Sequence, residues 1–165
     1  MKLSDLAGRP LTYAEVGATA GRLPEGYHHV RLSARIGTGR RRFEQAAAAV
    51  MRYGMLRGAG LRVAATTEVA EVGTDVLGRL GPFAAPYRVV YVLDEPNRRG
   101  FAYGSLPGHA VSGEEMFGVR YDPADESVYA EVVAFSRHGT WWSRIGAPLA
   151  AQVQKVVTRR YLAAV

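Results

Sequence analysis

Between residues 27 and 37 the chain alternates strictly. Val30, Leu32, Ala34 and Ile36 are apolar, and His29, Arg31, Ser33 and Arg35 between them are polar. Side chains along a strand point to opposite faces in turn, so this pattern predicts a strand with one dry and one wet face. Thr38-Gly39 turns the chain, and the period then changes. In 40–56 Phe43, Ala47, Val50 and Gly54 recur at helical spacing around a run of alanines, the best helix formers. Thr38 is the expected N-cap, and Gly58 and Gly60 the expected stop.

Segments 61–66, 69–77, 87–94, 99–106, 114–121 and 128–135 read as further strands. Turn residues separate them: Gly81-Pro82, Glu95-Pro96-Asn97, Pro107-Gly108 and Asp122-Pro123. Connections this short hold no crossover helix, so the strands pair antiparallel. From 140 to 163 the helical period returns in Trp142, Ile145, Leu149, Val153, Val157 and Tyr161. Gly146 and Pro148 open or kink that helix, and Arg159 and Arg160 suit the dipole of its last turn. Residues 1–26 form an N-terminal extension of turns anchored by Leu11, Tyr13 and Val16.

The reading is a single α+β domain over 1–165, with the extension at 1–26 and a core at 27–163. In that core a curved antiparallel sheet wraps around the long C-terminal helix, the only long element able to cover the sheet's apolar side. A curved sheet gripping a helix leaves room for a cavity, which puts binding of a small hydrophobic or amphipathic molecule on the list of functions.

Composition removes several alternatives. The chain has no cysteine among its 165 residues, so disulfides, thiolate metal sites and thiol nucleophiles are excluded. A reducing, cytoplasmic setting is the expectation. Met1–Gly8 has no apolar signal region, and no stretch approaches the roughly 20 apolar residues of a membrane span. The net charge of +6 is carried almost entirely by arginine. Such a surplus attracts polyanions, but no aromatic-plus-basic stripe accompanies it, so nucleic acid is not the expected partner, and a nucleic-acid or anionic-surface adaptor stands as the weaker alternative. Arg40-Arg41-Arg42 reads as a solvated helix face. Gly37-Thr38-Gly39 lacks the spacing and lysine of a phosphate loop. Gly104-Ser105-Leu106 lacks the second glycine of a nucleophile elbow. His28 and His29 face opposite ways with no acid at ligand spacing, so neither a metal nor a cofactor is expected.

The chemistry concentrates at 103–115. His109 changes charge near neutral pH. Glu114 and Glu115 are consecutive and so face opposite sides of a strand. Glu115 shares parity with Phe117, Val119 and Tyr121, which sends it toward the core. A buried carboxylate needs a partner or takes a raised pKa; Arg88, Arg137 and His109 are the candidates for that partner. Two roles stay open: a polar anchor or general acid/base in an apolar cavity, and a structural ion pair or bulge that turns Glu115 to water. The residues expected to line a ligand cavity are Tyr103, His109, Glu114, Glu115, Phe117, Arg88, Arg137 and Trp142. An enzyme of cyclase or hydrolase type using the same cavity is the alternative.

Several blocks carry a resemblance. They are Leu11-Thr12-Tyr13 with Val16-Gly17 and Thr19, the run from Pro86 to Val92, FAYGSLPGHAVSGEEMF over 101–117, Ala134-Phe135-Ser136-Arg137, and Gln152 or Gln154 ahead of Arg159-Arg160-Tyr161. Over nearly the whole chain they resemble the family known as domain of unknown function nineteen-ninety. That family's element order is similar to the helix-grip folds of lipid-transfer, plant-allergen and polyketide-cyclase proteins. The resemblance implies a ligand cavity between sheet and C-terminal helix, and no particular activity.

Overall fold

The computed structural model describes residues 1–138. The expected helix over 140–163, and Trp142 with it, lies outside the described residues. The strands are β1 (His28–Thr38), β2 (Arg62–Ala65), β3 (Asp75–Leu80), β4 (Phe83–Glu95), β5 (Arg98–Ser105), β6 (Val111–Tyr121) and β7 (Ser127–His138). They form one antiparallel sheet in the order β1-β7-β6-β5-β4-β3-β2. Strands β2 to β7 are thus a meander, and β1 returns to pair with the last of them.

Each expected strand is present, with several boundaries moved: the strand read as 87–94 begins at Phe83 and that read as 114–121 at Val111, and the largest shift is in β3. The strand read as 69–77 begins at Asp75. Residues just before it are held in a loop: Thr67 Oγ1 meets Thr74 Oγ1 at 2.7 Å, the Ala70 N–H donates to Met51 O at 2.8 Å, and Gly73 turns the chain at φ +89°.

The helix expected over 40–56 is two pieces, α1 (Arg40–Met51) and α2 (Gly54–Gly58). Tyr53 between them takes a left-handed conformation at φ 62°. Thr38 does not cap α1. Gly39 occupies the N-cap at φ +87°, without a side-chain cap. The start of the helix is tied down instead by Arg40, which donates to Pro96 O at 2.6 Å and Asn97 Oδ1 at 2.8 Å and lies 4.5 Å over the Tyr121 ring.

The helices cover one face of the sheet, here called inner. Phe43, Ala46, Val50, Tyr53 and Leu56 pack there with Val89, Phe101, Phe117, Val119 and Val132. The opposite, outer face was expected to be wet. It is not: Ala102, Met116, Val133 and Phe135 are buried on it beneath Tyr13 and Leu23. A strand dry on both faces loses the alternating signal, and β5 and β6 carry apolar residues at both parities.

The cover on the outer face is the N-terminal extension, which runs as a strap through two short 3-10 turns, Leu3–Leu6 and Ala18–Ala20. Its anchors are Leu6, Tyr13, Thr19 and Leu23, all buried, whereas Val16 is 51% exposed. Two charged residues of the sheet hold it. Arg88 donates to Arg9 O at 2.7 Å and Leu6 O at 2.9 Å, and its third contact is Asp75 Oδ1 at 2.7 Å. Glu114 accepts from the Tyr13 hydroxyl at 2.7 Å, the Gly17 N–H at 2.7 Å, the Thr19 N–H at 3.0 Å and the Thr19 hydroxyl. Gly104 makes the approach possible, since a Cβ there would stand 2.3 Å from the Tyr13 hydroxyl oxygen.

Replacing Glu114 by Ala removes a buried acceptor from several donors at once. Glu114→Ala is expected to cost roughly 2–4 kcal/mol and to abolish hydrogen-exchange protection at the Gly17 and Thr19 amides. Retained protection at both amides, with an unchanged unfolding midpoint, would contradict this account of the strap.

Candidate functional site

Antiparallel register sets Tyr103 of β5 directly opposite Glu115 of β6. Both point to the inner face, where the Tyr103 hydroxyl donates to Glu115 Oε2 at 2.9 Å. Tyr87 of β4 stacks on Tyr103 with ring centroids 4.0 Å apart and an angle of 29° between planes. Phe117, two residues beyond Glu115, lies 5.3 Å from Tyr103 and forms an apolar floor with Phe101. The turn between β5 and β6 supplies His109, whose ring is 4.7 Å from that of Tyr87. Gly108 makes that turn at φ +102°. His109 Nδ1 is within hydrogen-bond distance of both the Val111 N–H (3.0 Å) and Val111 O (2.8 Å), and the tautomer decides which bond forms.

A small cleft of about 50 Å³ opens beside these groups, bordered by Tyr87, Tyr103, His109, Val111 and Glu115. A larger open groove of about 330 Å³ lies between α1 and the β4–β5 hairpin. Its charged residues are Glu44, Arg52, Asp94 and Arg99, the last two paired at 3.0 Å.

Burial governs the protonation of the inner cluster. It pushes the Glu115 carboxyl up to about 7, against the opposing hydrogen bond from Tyr103. It holds His109 down at about 4, with the Val111 backbone contact working the other way. The same desolvation, reinforced by the nearby Glu115 charge, raises the Tyr87 phenol. At neutral pH the site therefore contains a neutral imidazole, two phenols and a carboxyl close to half-ionised. Such a carboxyl can give or take a proton at little cost, which is what general acid–base chemistry and proton-coupled binding both require.

Of the residues expected to converge, Tyr103, His109, Glu115 and Phe117 do so. Glu114 is on the outer face, serving the strap. Arg88 and Arg137 do not partner Glu115, because each has outer-face parity. Arg88 pairs with Asp75, and Arg137 is exposed with its guanidinium 4.9 Å from the Tyr27 ring centroid. Tyr87 was absent from the expected set. A register break between Val89 and Tyr91 shifts the parity of β4 part-way along, so only the run Tyr87–Val89 before the break signalled its direction. Among the described residues no three of His, Asp or Glu converge as a metal ion would need. None of the described helices is long and apolar enough to cross a membrane.

The sequence pattern of the family described as "Domain of unknown function (DUF1990)" matches residues 12–164. A UPF0548 protein of Deinococcus radiodurans is 34% identical over 165 residues, covering 91% of this chain and 83% of its own. A UPF0548 protein of Arabidopsis thaliana is 34% identical over 80 residues, covering 45% of this chain and 38% of its own. Among solved structures, a hypothetical protein from Helicobacter pylori superposes with a TM-score of 0.62 at 7% identity, covering 86% of this chain and 94% of that one. The ginseng major latex-like protein 151 from Panax ginseng superposes at 0.50 and 15% identity, covering 83% and 96%. At such identities the likeness is one of fold, and the fold is the helix-grip α+β class.

The Glu115 carboxyl makes stability depend on pH with a definite sign. Its folded pKa is raised from 4.5 to about 7, so the folded state holds this proton more tightly than the unfolded chain. The stabilisation from protonation is complete below about pH 4.5 and lost as pH rises through 7. His109 acts oppositely, removing stability as pH falls from 6.5 through about 4. Comparing wild type with Glu115→Gln cancels the histidine. Between pH 4.5 and 8 the stability difference is expected to move in favour of the variant by on the order of 1–3 kcal/mol. A difference independent of pH in denaturant titrations would refute the shift.

Proposed function

The chain belongs to the DUF1990 family, and from its membership and fold we propose that it binds a small hydrophobic or amphipathic molecule on the inner face of the sheet. Tyr87, Tyr103 and Phe117 form the aromatic wall in this reading, and Glu115 with His109 the polar anchor.

The observation that carries the reading is the contrast between two neighbouring carboxylates. Glu114 is saturated by donors from the strap. Glu115, one residue on and facing the other way, has one hydrogen bond, from Tyr103, and no ion pair among the described residues. A carboxyl kept for structure is normally satisfied, because leaving it desolvated costs stability. One left with spare acceptor capacity beside a cleft is arranged for something that arrives from outside. Part of the arginine surplus is engaged within the fold. Arg40, Arg88, Arg98 and Arg120 are each held by acceptors within the chain rather than gathered on one bare surface.

An enzymatic version of the same site is the second reading, favoured by the near-neutral pKa of Glu115. It asks for a partner acid or base within reach. Tyr103 is that group, while His109 is engaged with the Val111 backbone.

Native mass spectrometry of the protein purified from its own host tests the binding reading. A discrete bound mass is expected, and Tyr103→Phe, which removes the phenol while keeping the ring, should reduce its occupancy by roughly tenfold in affinity, or about 1.4 kcal/mol. Equal retention by wild type and variant would place the ligand elsewhere.

A further inference from the structure

Resting on the proposed inner-face site, we propose that the head group it takes is a protonated amine carried on an apolar body. The surroundings of Glu115 point to this. On β5 it faces Tyr103, on β7 its register partner is Ala134, and on its own strand Phe117 follows on the same face. Tyr87 of β4 and His109 of the β5–β6 turn also border the cleft, with Ser105, Ser136 and the strap-bound Glu114. None of these is a cation, and Arg88 and Arg137 are on the other face. Among the described residues an incoming anion would find no positive charge at Glu115 to meet it, and would add to the charge that burial already disfavours there.

An ammonium group meets a different site. It gives the carboxylate a counter-charge that no described residue supplies, and donates to the acceptor positions that the Tyr103 hydroxyl leaves over. The cleft of about 50 Å³ has room for a small head group and not for a ring. The body must therefore extend out of the cleft along the apolar surface. The protein's net charge of +6 repels amines at long range, so any preference for them has to arise within this cleft.

Proton linkage follows. An amine binds the ionised carboxylate, so below the Glu115 pKa of about 7 binding must expel a proton. Affinity then falls roughly tenfold from pH 8 to pH 6. This is opposite to the trend for a carboxylic acid ligand, which gains affinity as Glu115 protonates.

The test uses the full chain and three probes with one body: octylamine, octanol and octanoate, each below its micelle concentration, followed by ¹H–¹⁵N NMR. The expected result at pH 8 is that octylamine shifts the amides of Tyr87, Tyr103 and Glu115 with at least tenfold tighter binding than the other two. That preference is lost in Glu115→Gln and weakens about tenfold at pH 6 in the wild type. Octanol or octanoate binding as tightly at the same residues overturns the amine assignment and leaves the inner-face site standing. No shift at those residues with any probe overturns both. Should the Gln variant fail to fold, the wild-type pH series decides alone: octylamine affinity that does not change between pH 8 and 6 rejects the proposal.

Discussion

The carboxylate of Glu114 is the contact on which the rest of this architecture leans. It sits on the outer face of a central strand, where an unpaired charge would be heavily penalised. Donors from Tyr13, Gly17 and Thr19 satisfy it. In doing so they bring a chain segment with little regular structure across a sheet face that would otherwise expose Met116, Val133 and Phe135. Arg88 repeats the device two strands away, reaching the backbone carbonyls of Leu6 and Arg9. Polar anchors set the path of the strap, and apolar burial around them supplies most of the free energy.

Because side chains alternate along β6, seating Glu114 outward obliges Glu115 to face inward. The same residue type then meets the opposite environment. One carboxylate is surrounded by donors; the other is walled by Tyr87, Tyr103 and Phe117 with a single phenol to bond it. That asymmetry, rather than any motif, separates structure from chemistry here. It accounts for why one glutamate anchors the strap while the other is poised to exchange a proton near neutrality.

The meander was legible in the sequence because its turns are written in Gly, Pro, Asn and Asp and its strands are short and close together. The inward direction of Glu115 and Phe117 was legible for the same reason: period-2 parity survives any error in strand boundaries. What alternation could not convey was the second cover. Ala102 beside Phe101, and Met116 beside Phe117, read as noise in a one-sided pattern, when they record a sheet buried on both sides. The partners assigned to Glu115 failed through the same gap. Arg88 and Arg137 are close to it in strand order, but parity puts their side chains on the strap side. The α1–α2 break was hidden because helical periodicity continues through Gly54, and only the left-handed turn at Tyr53 interrupts the backbone.

The strap's hydrogen bonds to Glu114 span 95 to 101 positions of chain. β1, next along the sequence, finds its only strand partner among the described residues in β7, register-matched from His28↔Ser136 to Thr38↔Ser127. The strap and β1 thus depend on partners far along the chain: Leu6 and Arg9 on Arg88, Tyr13 and Thr19 on Glu114, and β1 on β7. Local contacts favour the hairpins of the middle forming first, with the strap and β1 joining once β4, β6 and β7 are in place. A chain halted before β6 would leave Tyr13, Leu23 and the apolar positions of β1 exposed, and in that interval it is more open to aggregation than the finished molecule.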